Sequence, residues 1–235
     1  MSASPHSRLA RLQLTGGHRA DPEVAQYRYG MVLLLVICVV VFVIVVPDSD
    51  GTRAIAFALV GAALLVAIGT SRERSIVRRR RVLGSGATIL VVTVLTAAGA
   101  IPVSITFAIG AAMTLAVPAT LAGGLLRLVR ERGATVQAVA GGLAIYLLLG
   151  LAFASLIGFL SDVQSSQYFA QAAHPTTSDR VYYSFTVLTT TGFGDFTAAH
   201  SGGRALAVLE MLVGQIYLVT VISILIGRRL EQSRS

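Results

Sequence analysis

Charge is scarce in this chain. Of its 235 residues, 13% are Asp, Glu, Lys or Arg and 54% are hydrophobic, whereas a soluble domain carries about 25% charged residues. The mean hydropathy is +0.76. That shortage excludes an ordinary soluble helical protein and makes a membrane protein the working class. Lysine is absent, and all 19 basic residues are Arg. Cysteine is limited to Cys38, inside an apolar run. No disulfide can form within one chain, and the residue reads as a small hydrophobe. Residues 1–28 are polar with four arginines, too long for the n-region of a signal peptide, and no small-residue cleavage site clearly follows the first apolar run. That run is expected to be retained. A metal-ligand cluster and a nucleophile–base set are also lacking, so neither an enzyme nor a cofactor is expected.

Long charge-free windows are what the chain has instead. Tyr29–Pro47 and Ala54–Ser71 each approach the roughly 20 residues needed to cross a hydrocarbon core of about 30 Å. Val82–Leu126 is too long for one crossing at about 1.5 Å per residue. It is predicted to be two spans, broken at Gly99-Ala100-Ile101-Pro102, because Gly and Pro punctuate helices. Gly133–Ser161 is a fifth window, and Ala205–Gly227 a sixth, interrupted only by Glu210. The fold class expected is an all-α membrane protein of six transmembrane helices. Between the last two lies a polar stretch, Asp162–Arg180, and then a short motif; together they suit a segment that enters the membrane and returns. Non-helical backbone at that depth is tolerated only where it is buried or lines a water-filled path.

The arginines divide by side. Arg8, Arg11, Arg19 and Arg28 precede span 1; Arg72, Arg74 and Arg78 to Arg81 follow span 2. Arg127, Arg130 and Arg132 follow span 4, and Arg228, Arg229 and Arg234 follow span 6. Only Arg53, Arg180 and Arg204 fall on the other side. By the positive-inside rule both termini are cytoplasmic. Basic charge spread over every cytoplasmic loop accounts for the pI near 10.5 and argues against nucleic acid as a partner. The run Arg78, Arg79, Arg80, Arg81 also suits anionic lipid headgroups, at roughly 1 kcal/mol per residue near the surface.

Residues 189–195 read Thr-Thr-Thr-Gly-Phe-Gly-Asp. Glycine tolerates positive φ at little cost, so alternating glycines can turn successive carbonyls to one side. Val181–Leu188 and its flanks are the candidate pore helix, with Ser178 or Asp179 as its N-cap. About 10 residues of helix reach mid-membrane, and the C-terminal dipole would favour a cation there.

This motif resembles the potassium-channel signature Thr-Val-Gly-Tyr-Gly-Asp, in which carbonyl rings replace an ion's hydration shell. The arrangement is similar to the prokaryotic six-span, single-pore-loop, voltage-gated-like plan of that superfamily. The resemblance implies a selectivity filter of Thr190, Thr191, Gly192, Phe193 and Gly194, binding potassium through their carbonyls and the Thr190 hydroxyl. It implies support from Asp195 at the outer mouth and from Tyr182, Tyr183 and Thr186 on the pore helix. Thr191 stands where Val or Ile is usual and Phe193 where Tyr is usual. One chain supplies one wall of the pore, so the resemblance implies a homotetramer with closed rotational symmetry.

Glu210 is a carboxylate at membrane depth, which faces protein or water; it reads as a structural acid or as a gating sensor. Gly214 reads as a hinge of the inner helix or as a close-packing site. Helical spacing from it puts Gln215, Leu218 and Ile222 on one side as candidate cavity lining. Span 4 carries no charge until Arg127, so the arginine ladder of a voltage sensor is missing and weak voltage dependence is expected. Pro118 is expected to kink that span. The expected organisation is a cytoplasmic segment at 1–28, a four-helix peripheral domain at 29–132, a pore domain at 133–227 and a short cytoplasmic tail at 228–235, too short for a ligand-binding gating domain. The function expected is passive potassium conduction in the cell membrane. The alternatives are a weakly selective cation pore and a non-conducting scaffold with a degenerate filter.

Overall fold

The computed structural model describes residues 29–70, 75–132, 135–164, 167–171 and 174–232. Among them are seven helices: α1 Tyr29–Val45, α2 Asp50–Thr70, α3 Ser75–Ala97, α4 Val103–Arg132, α5 Val136–Val163, α6 Thr177–Leu188 and α7 Ser201–Gln232. The segment 1–28 lies outside the described residues.

Four of the six expected spans are long and apolar enough to cross a membrane: Asp50–Ile68, Val103–Leu126, Val136–Val163 and Ser201–Val221. Tyr29–Val45 and Leu83–Ala97 are shorter apolar helices. The first window loses its last residues because Pro47 cannot continue a helix and the chain turns there. The third is short only in its apolar part, Leu83–Ala97; the helix itself begins earlier, at Ser75, inside the arginine-rich stretch. The break between α3 and α4 falls where Gly and Pro put it, with Gly99 at φ +64°. α4 runs as one helix through Pro118 to Arg132. α2 starts earlier than its hydrophobicity does: Ser49 Oγ accepts from the Thr52 N–H, and the Thr52 hydroxyl donates to the Pro47 carbonyl.

The main core is shared. Val32, Val36 and Val39 of α1, Ala63 of α2, Val117 of α4, Leu148 of α5 and Val181 of α6 belong to one buried cluster. Hydrophobic packing therefore runs continuously across the expected boundary at 132/133. Small residues permit it, as in membrane helix packing generally: a Cβ at Gly150 of α5 would lie 2.8 Å from the Phe185 ring, and one at Gly158 would lie 2.7 Å from Phe107. A second core, including Ile157, Tyr168, Phe169, Tyr183 and Ala207, sits beside α6. Over it the backbones pair, Ala170 N–H to Thr197 O at 2.9 Å and Ala199 N–H to Tyr168 O at 2.8 Å. Gln171 binds both the backbone and the hydroxyl of Thr197. Burial pushes the Tyr168 phenol above its ordinary pKa.

Candidate functional site

The short helix α6 is capped by Thr176 rather than by Ser178 or Asp179. Thr176 Oγ1 accepts from the Asp179 N–H, and the Asp179 carboxylate accepts from the Thr176 N–H. This reciprocal box satisfies two helix-end donors at once, which is why the helix starts earlier than its apolar residues suggest. A third contact comes from far along the chain. Asp48, in the α1–α2 turn, accepts from the Thr177 N–H at 3.1 Å and from its hydroxyl at 2.8 Å, and Ser178 Oγ donates to the Ile44 carbonyl at 3.2 Å. Arg53 holds Asp48 in place at 3.0 Å and reaches Asp50 at 3.1 Å. Partial burial works against the charged form of Asp48, but the bonds from Thr177 and Arg53 outweigh it and hold the carboxyl below its ordinary pKa. Sequence reading missed this clamp, because no local pattern links residues 129 apart.

At its other end α6 turns into the filter motif. The last carbonyls of the helix are all engaged: Phe185 O by Thr189 N–H, Thr186 O by the N–H groups of Thr191 and Gly192, and Val187 O by Thr190 N–H. Leu188 O accepts from the Tyr146 hydroxyl of α5 at 3.2 Å. These bonds suspend the motif from the helix terminus and leave the motif's own carbonyls unspent by them. Thr190, Gly192 and Gly194 have φ of 58°, 51° and 83°, whereas Thr191 and Phe193 between them do not have positive φ. Such an alternation of backbone handedness can turn successive carbonyls toward one side. Positive φ on a β-branched residue such as Thr190 is strained, and such strain clusters at functional sites.

Each expected filter residue has a definite place. Thr189 through Asp195 are all exposed on the single chain. The Thr189 hydroxyl donates to Phe185 O at 2.7 Å, so in its 2.9 Å contact with the Thr191 hydroxyl it accepts. Thr191 thus donates to the Thr189 hydroxyl at the helix end. Phe193 stacks on the Tyr182 ring, centroids 6.3 Å apart and planes within 5°. Asp195 lies beside the Tyr182 hydroxyl and also accepts from the Phe196 N–H. Thr186 supports the motif through its carbonyl; its hydroxyl bonds Tyr183 O within the helix. Tyr183 packs edge-on against Phe169, centroids 4.9 Å apart.

Behind the motif stands α7. Gln215 Nε2 donates to the Thr190 hydroxyl at 3.2 Å. Leu218 is half-buried on the same helix, and the side chain of Ile222 lies outside the described residues, as do those of Arg78 to Arg81. Gly214 is a close-packing site: a Cβ there would sit 2.5 Å from the Leu188 carbonyl oxygen, the same oxygen that Tyr146 holds. Glu210 is fully buried. Its Oε1 meets the Ser184 hydroxyl of α6, while Oε2 has no partner among the described residues. Ser184 Oγ is also 2.7 Å from the Gly150 carbonyl. Ser184 shares its one hydroxyl proton between these two acceptors, and a donor at position 210 would free that proton for Gly150 O alone. Tyr146 and Tyr217, which sequence reading did not single out, stack at 6.0 Å, and the Tyr217 hydroxyl donates to Gly142 O at 2.7 Å.

A family model described as an ion channel matches residues 143–230, which span α5, α6, the filter motif and α7. This segment is similar to the ion-channel pore regions that the model describes. The match covers well under half of the chain and falls on the region where the site lies. No curated protein and no solved structure matches the chain.

Proposed function

We propose that the chain forms a potassium-selective channel, passive and homotetrameric, with Thr190, Thr191, Gly192, Phe193 and Gly194 of each copy lining the ion path. The observation that carries this reading is the alternating backbone at Thr190, Gly192 and Gly194, suspended from a short helix and exposed on the isolated chain. Backbone at membrane depth must be buried or line an aqueous path, so its exposure calls for further copies around the same axis. The apolar face of α7 that is left open, including Leu209, Leu212 and Ile216, suits the same assembly. Potassium is the ion whose dehydration such a ladder of carbonyls offsets.

The six-span topology with cytoplasmic termini is part of this proposal. α1, with 17 residues, extends about 26 Å at 1.5 Å per residue, close to a hydrocarbon core. The contact of Asp48 with Thr177 puts the α1–α2 turn beside the start of α6, the same side that the arginine pattern gives both. Arginine side chains near the start of α3 can reach the headgroups from a short apolar segment, where Arg78 to Arg81 would meet anionic lipid. The inner cavity is assigned to Gln215, Leu218 and Ile222.

Planar-bilayer recording of the purified assembly in opposed potassium and sodium gradients tests the reading. A reversal potential that follows potassium is expected. One midway between the two ions would replace it with a weakly selective cation pore, and silence across voltage and pH would leave a non-conducting scaffold.

A further inference from the structure

A pocket of about 90 Å³ lies where α1, α2, α4, α5 and α6 meet, outside the filter and away from the inner helix. Its walls are apolar, with Val43, Phe57, Phe107 and Leu151 among them. Ligand sites have this character: mostly apolar lining with a few fixed polar groups. For scale, a dry cavity of about 150 Å³ lined by Leu, Ile and Phe takes up benzene, so the space here suits something smaller.

Its polar groups narrow the chemistry. Thr114 of α4 and Ser155 of α5 both line the pocket. The Thr114 hydroxyl proton is spent on Gly110 O at 2.9 Å and Ala111 O at 3.1 Å, and that of Ser155 on Leu151 O at 2.9 Å. Each oxygen keeps a lone pair but no proton to give. The pocket therefore accepts hydrogen bonds from an occupant and donates none from these two groups. The charges at its rim are already matched, Arg53 with Asp48 and Asp50, so an ion finds no unpaired charge of Arg53 or Asp48 there.

We propose that this pocket binds a short-chain, uncharged alcohol, its apolar chain against the walls and its hydroxyl donating to Ser155 or Thr114. Thr177 and Val181 of α6 also line the space, so the occupant touches the helix that carries the filter motif. The site does not depend on whether the pore selects potassium.

Fluorine NMR of trifluoroethanol titrated against the full chain in nanodiscs tests the assignment, with empty nanodiscs to subtract partition into lipid. Saturable, protein-dependent binding is expected. Ala154→Leu, which fills the pocket, should weaken it by about tenfold or more, and Ser155→Ala by about fivefold through the lost acceptor. Val60→Leu is a second filling variant should Ala154→Leu not yield folded protein. A response equal to that of empty nanodiscs, or one that neither filling variant changes, overturns the proposal and leaves water or a lipid acyl chain in the space.

Discussion

Gly214 and Glu210 owe their identities to the same short helix, for different reasons. Any side chain at Gly214 meets the Leu188 carbonyl oxygen, a backbone atom that cannot swing aside. Gly214→Ala is therefore expected to destabilise the assembly by about 1–3 kcal/mol, the usual cost of overpacking. A lower thermal midpoint of the purified protein checks it, whereas a hinge role would change gating and spare stability. At Glu210 the question is what completes the hydrogen bonds of Ser184. An amide at 210 can donate to Ser184 Oγ as a carboxylic acid can. Glu210→Gln is expected to preserve assembly and the pH dependence of the current, and Glu210→Ala to lower stability by about 2–4 kcal/mol through the lost packing and bond. A shifted pH dependence in Glu210→Gln would instead make the residue a sensor.

Among the elements, α6 depends most on its surroundings. Its 12 residues are too few for an isolated helix to persist in water, and capping plus packing must supply the difference. Thr176 and Asp179 cap it locally, and Asp48 caps it from the α1–α2 turn. Asp48→Ala is expected to cost about 1 kcal/mol, in the range of other capping losses. The carboxyl of Asp48 is held below its ordinary pKa of 3.8. Its contribution is therefore complete above that value and is lost as pH falls through the lower folded value. The stability gap between wild type and Asp48→Ala should close as the pH is taken from 5 to well below 3.8, as read by thermal melts. A gap that persists at low pH would mean that Asp48 acts through something other than its charge.

For the whole molecule, the peripheral helices and the pore helices share one core, so they are expected to melt together rather than in two steps. α4 carries no charge before Arg127, and the energy for voltage sensing comes from charges that move across the field. Open probability of the purified protein is therefore expected to change little between −100 and +100 mV, where each displaced charge would contribute roughly 2.3 kcal/mol per 100 mV. Steep opening on depolarisation would refute this.

The amino-acid sequence by itself determined the class of the protein and the location of its motif. Charge scarcity, the long apolar windows and Thr-Thr-Thr-Gly-Phe-Gly-Asp are local properties, readable without any contact between distant residues. The break at Gly99–Pro102 was legible for the same reason, since φ preference belongs to the residue. One window, Tyr29–Pro47, promised a longer helix than formed, and α3 begins earlier than its window does, at Ser75; hydropathy reports where an apolar segment can lie, and local chain geometry sets the helix ends. Tertiary structure alone decided the rest. That Asp48 caps α6, that Tyr146 holds Leu188 O, that Glu210 faces Ser184 and that Gly214 leaves room for a carbonyl are all facts about distant segments brought within a few ångströms. One-dimensional patterns carry no record of which apolar faces meet, because many pairings bury the same area. Packing chooses among them by shape, and here the small residues Gly150, Gly158 and Gly214 made the choice.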